Sequence, residues 1–225
     1  MIVKKNKVNL KSFCALDWRK YASLKRFREL HNEIIAWLLN PYGDHGLETG
    51  VLEGFMLKLG LGRTPSSEVS SIGQNHVLEG YVETGGMIDV VLETDGAQIM
   101  VINEPEMARL EDTGYPEELR GKTAYLTDNL KRNAKNLLVL LSPSGYIPPR
   151  LDGYVKKNSY LRVFSYRQYT AILQNLLLYE VRYRESPKLY GALERYMLFL
   201  QLMVADVYGA EQRKSRLASL KGIVP

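Results

Sequence analysis

The chain is poor in the residues that staple, chelate or anchor a protein. It has one cysteine, Cys14, so an internal disulfide is excluded and a reducing compartment is expected. Only three histidines, His31, His45 and His76, accompany that cysteine, and no Cys/His zinc spacing results. No motif recommends a Cys–His nucleophile. A Gly-rich phosphate loop and a Gly-x-Ser-x-Gly elbow are both missing. No apolar run approaches the ~20 residues of a membrane span. The opening MIVKKNKVNLK lacks the apolar stretch and cleavage site of a secretory signal. These absences lead to the expectation of a soluble, cytoplasmic protein with no membrane partner.

What is present is ordinary globular material. With 45% apolar and 24% charged residues over 225 positions, the chain can bury a sizeable core and fits a single domain over 1–225. Lys and Arg number 30 against 25 for Asp and Glu, a formal charge of +5, and they recur in clusters such as Lys4-Lys5, Lys25-Arg26-Arg28, Lys131-Arg132, Lys156-Lys157 and Arg213-Lys214-Ser215-Arg216. A polyanionic partner is compatible with this, and so are plain solvated helix faces.

Periodicity orders the elements. An apolar stripe of Tyr21, Leu24, Phe27, Leu30, Ile34, Trp37 and Leu38 predicts one helix over 17–39, ended by Asn40-Pro41. A second helix is expected over 47–59, closed by Gly60 and Gly62, and then a polar loop over 63–75. Strands are expected over 77–83, 87–93 and 98–103, with Gly85-Gly86 and Asp95-Gly96 as hairpin turns, which together make an antiparallel meander. A polar loop over 109–115 and a helix from Pro116 to about Lys135 follow. The apolar run 136–141 predicts a strand buried on both faces, and 143–152 reads as turns. A strand over 161–165 precedes helices over 166–183 and 186–208 and a basic tail helix. The fold class expected is α/β with a mixed sheet flanked by helices: a core over about 17–165 and a helical C-terminal part over about 166–225.

Carboxylates stand where buried strands rarely carry them. Asp89 sits inside Met87-Ile88-Asp89-Val90-Val91-Leu92, and the next apolar run ends in Asn103-Glu104-Pro105-Glu106. A buried carboxylate is costly unless it is paired or metal-bound, so this pattern points to a divalent cation held over a phosphodiester, or to a structural ion pair. Glu79 and Glu83 precede them on an expected β-ribbon. The tyrosines of the C-terminal helices (Tyr179, Tyr183, Tyr190, Tyr196 and Tyr208) are candidates for base stacking, and at helical spacing they also read as core.

Several patterns, in order, resemble the PD-(D/E)XK nuclease superfamily, and within it a bacterial nuclease-like branch. They are the helix end Trp37-Leu38-Leu39-Asn40-Pro41, then Asp44-His45-Gly46-Leu47 and Phe55-Met56-Leu57. Met87-Ile88-Asp89-Val90, Leu141-Ser142-Pro143-Ser144-Gly145 and Phe164-Ser165-Tyr166 follow. The similarity covers about 27–205. It implies a restriction-endonuclease-like core, Mg²⁺ or Mn²⁺ as cofactor, DNA as partner and phosphodiester hydrolysis. A homo-oligomer or a protein partner is also compatible.

The resemblance breaks at the Glu-x-Lys motif. In direct alignment Asn103 replaces the Glu and Pro105 the Lys, which would leave a silent module that binds nucleic acid or a protein. A shift of one residue gives Glu104-Pro105-Glu106, and then Asp89, Glu104 and Glu106 are the metal ligands and catalytic residues. Residues two apart on a strand share a face, which permits this set. Met87 stands where the pattern has Arg, and Glu118 where it has Gln. Lys122 is a candidate replacement lysine, Glu29 and Glu33 are candidate helix-borne ligands, and His45 reads as fixing its loop.

Overall fold

A computed structural model describes residues 8–61, 69–77, 87–94, 98–105, 136–143, 145, 149–157, 159–179 and 186–204. The chain forms two compact units, one built on residues 65–165 and the other on 6–64 with 166–225.

The first unit is a five-stranded sheet in the order β1-β2-β3-β4-β5, with β1 Val69–Val77, β2 Met87–Thr94, β3 Gln98–Asn103, β4 Leu137–Ser142 and β5 Leu161–Ser165. The first three strands pair antiparallel, and β3, β4 and β5 run parallel. The meander is therefore present and continues into a parallel half. Every residue of β4 is buried, as its unbroken apolar run predicts for a strand covered on both faces.

Two expectations in this unit are corrected. Residues 69–75 of the expected polar loop are extended and paired with β2 as the first strand, Val69–Val77, and of the strand expected over 77–83 only Val77 is described, within this strand. This strand, Val-Ser-Ser-Ile-Gly-Gln-Asn-His-Val, lies at the edge among the described strands, with a register shift between Val69 and Ser71. Edge strands tolerate polar residues and irregular pairing, which hides them from apolar periodicity. The expected turns over 143–152 contain the start of a helix, α4 (Pro149–Lys157), numbered in chain order after the three described next. Its proline occupies the first helical position, where no N–H is needed, and Lys156 pairs with Asp152 one turn back at 2.7 Å. The expectations for 78–86, 95–97 and 106–135, including both hairpin turns and the Pro116 helix, lie outside the described residues.

The second unit is helical: α1 Leu10–Cys14, a 3-10 turn Trp18–Tyr21, α2 Leu24–Leu39, α3 Gly50–Lys58, α5 Tyr166–Tyr179 and α6 Pro187–Val204. The single helix expected over 17–39 is two elements. Asp17 caps the 3-10 turn by accepting from the Arg19 N–H and also chelates the Arg19 side chain, while Ser23 is extended and restarts the chain as α2. The Arg19 guanidinium holds the Asp17 carboxyl down at about 2. The stripe of α2 is buried as its spacing predicts, at Phe27, Leu30, Ile34, Trp37 and Leu38. Gly60, at φ +78°, ends α3 in a Schellman arrangement, with Leu61 N–H on the Met56 carbonyl and Gly60 N–H on that of Leu57. Among the described residues, no helix is long and apolar enough to cross a membrane.

Candidate cation site where β2 and β3 part

Alternation along β3 sends successive N–H groups to opposite neighbours. The Glu104 N–H reaches β4 and donates to the Leu141 carbonyl at 2.8 Å, which carries the parallel ladder one residue beyond Asn103. The Asn103 N–H points the other way, toward β2. There the paired register runs from Glu93↔Gln98 to Val90↔Val101, while Ile88 and Met87 pair with β1. The Asn103 N–H is taken instead by the side chain of Asp89, whose Oδ2 accepts it at 2.8 Å. Asp89 thus bridges the place where β2 and β3 part.

The same register assigns faces. Val91 faces Met100, so the period of two places Asp89 with Ile102 and Glu104 on one face and Asn103 on the other. Glu104, not Asn103, therefore shares the face of Asp89. Both carboxylates are nearly sealed from solvent, Asp89 at 2% and Glu104 at 4% exposure. Pro105, also buried, ends the strand because it has no N–H to donate.

The face continues across the parallel strands. Ile102 pairs with Leu140, and Ser142 pairs with Ser165, which sets these two buried serines beyond Glu104 at the carboxyl ends of β4 and β5. The Ser142 hydroxyl accepts the Gly145 N–H at 3.0 Å. Gly145 has φ +71°, and a Cβ there would sit 3.1 Å from that of Ser165, so only glycine suits this turn. The sequence alone assigns these serines no role, and its one signal is a hydroxyl ending each of two apolar strands.

Among the described residues, no group of three or more His, Cys, Asp or Glu side chains is arranged to hold a metal ion. Asp89 and Glu104 are two hard oxygen donors, and Mg²⁺ is commonly held by one or two carboxylates with waters and phosphate oxygens completing its shell. In donor type, though not in number, the pair matches what such an ion takes. Glu106, Glu79, Glu83, Glu118 and Lys122 lie outside the described residues.

His45 is buried and fixes its loop. Its Nδ1 accepts the Leu47 N–H at 2.9 Å, so the neutral ring carries its proton on Nε2 and donates to the Asn40 carbonyl at 2.8 Å. Burial lowers its pKa, against the opposing pull of the Asn40 hydrogen bond and the Asp44 charge. Asp44 accepts from Trp37 Nε1 at 2.7 Å and from the Leu10 N–H at 3.0 Å. Tyr196 is core: it stacks on Trp18 at 5.7 Å and meets Phe13 edge-on at 5.9 Å, and burial raises its hydroxyl pKa. Glu29 and Glu33 lie on α2 of the helical unit.

Comparison of the chain with protein-family models, with curated proteins and with solved structures gave no match.

Proposed function

We propose that this protein is a nuclease-like hydrolase of the PD-(D/E)XK type, with a restriction-endonuclease-like core, that cleaves phosphodiester bonds in DNA with Mg²⁺ or Mn²⁺. The observation that carries this reading is the pair of buried carboxylates, Asp89 and Glu104, on one sheet face beside the parting of β2 and β3. A bound cation there would polarise a phosphoryl oxygen and lower the pKa of the attacking water. Asp89 and Glu104 hold the ion, and the Asn103 N–H fixes the Asp89 carboxylate against rotation. Glu106 completes the ligand set or orients the water. In this reading the motif is Glu104-Pro105-Glu106, and Asn103 supplies backbone rather than a ligand.

One observation favours a second reading, a catalytically silent module that binds nucleic acid or a protein partner. Capping the Asn103 N–H is a structural role for Asp89 that needs no cation. The experiment that separates the two is cleavage of supercoiled plasmid with Mg²⁺ or Mn²⁺ by the wild type and by Asp89→Asn. The carboxamide still offers an oxygen to the Asn103 N–H but is a poor cation ligand. Activity that vanishes in the variant and in EDTA supports the hydrolase; equal residual cleavage by both proteins sinks it.

A further inference from the structure

In the helical unit, Arg26, Glu29, Leu30 and Glu33 share one face of α2, being spaced at three, four and seven residues. Facing them are Lys20 and Tyr21, the last residues of the 3-10 turn, and between the two walls lies a cleft of about 450 Å³. That volume falls within the roughly 300–1,000 Å³ typical of small-ligand sites. Leu30, buried at the base of its helix face, supplies an apolar surface, and the half-buried Tyr21 supplies a ring. The exposed charges at the rim are of both signs, yet the side chains of Arg26 and Glu29 form no hydrogen bond or ion pair with any described residue.

We infer that this cleft binds a nucleotide, free or at the end of a strand. Its lining asks for three things in one ligand: an anion for Lys20 and Arg26, a flat body for Tyr21 and Leu30, and a hydrogen-bond donor for the Glu29 carboxylate. A guanidinium recognises phosphate through paired donors. An aromatic side chain stacks on any base. A base amino group or a sugar hydroxyl supplies the donor. The inference rests on the cleft alone and is independent of Asp89 and Glu104.

The test is calorimetric titration of the full chain with dAMP, beside inorganic phosphate and deoxyadenosine, at low salt and in EDTA. The expected result is that dAMP binds more tightly than either fragment, that Arg26→Ala weakens it about tenfold, as loss of a charge-assisted bond should, and that Tyr21→Ala also weakens it. Circular dichroism of both variants should match the wild type, since Arg26 is exposed and Tyr21 half-buried. Overturning results are dAMP binding no tighter than inorganic phosphate, binding that disappears in EDTA, or affinity unchanged in both variants.

Discussion

At Asp89 a single-atom change separates architecture from chemistry. Asp89→Asn keeps an oxygen for the Asn103 N–H, whereas Asp89→Ala leaves that buried donor without its 2.8 Å acceptor. A buried amide left unsatisfied costs about 1–3 kcal/mol. Asp89→Ala should therefore lose about that much stability in urea unfolding, and Asp89→Asn distinctly less. If both variants unfold at the wild-type midpoint, the carboxylate does not hold the strands where they part. At this scale the sequence was informative: Asp89 stood out as a charge within an apolar strand. Which residue of Asn103-Glu104 would join it was not legible, because that depends on strand register, and one residue of slip exchanges the faces.

The loop between α2 and α3 is pinned from both sides, by His45 within it and by the Asp44 bonds to Trp37 and Leu10. Gly43 leaves room for the imidazole, since a Cβ there would meet the ring at 2.7 Å. Because burial holds the folded His45 pKa below its ordinary 6.5, the unfolded chain takes up a proton first as pH falls. Its bound protons then exceed those of the native state, so this contribution to stability is intact above pH 6.5 and declines as pH drops below it. Unfolding free energies measured from pH 8 to 5 should fall more steeply in the wild type than in His45→Gln. Parallel profiles would mean that the ring is not held neutral. The elements that sequence periodicity finds most plainly, β4 and the stripe of α2, are those whose burial is repetitive along the chain. It missed edge strand β1, whose residues are mostly polar, and the break at Ser23, where apolar spacing runs through a change of backbone. The start of α4 was obscured by its flanking prolines, which signal turns and helix starts alike.

For the sheet as a whole, mixed topology sets which residues share an end. Antiparallel strands bring Asp89 beside β3, and parallel strands gather Glu104, Ser142 and Ser165 at one set of carboxyl ends, the edge where open α/β sheets commonly bind ligands. Composition and pattern were sufficient to anticipate an α/β chain with a meander, a buried strand and helices after residue 166. They could not decide whether a cation is bound, because a buried carboxylate pair arises both in metal sites and in strand-capping networks. The most direct measurement is a Mn²⁺ titration followed by electron paramagnetic resonance, on the wild type, Asp89→Asn and Glu104→Gln. Cation binding at this pair should appear as saturable Mn²⁺ binding that weakens at least about tenfold in each variant, as when an ion loses one of few charged ligands. Absence of binding in the wild type, or binding unchanged in both variants, would contradict it.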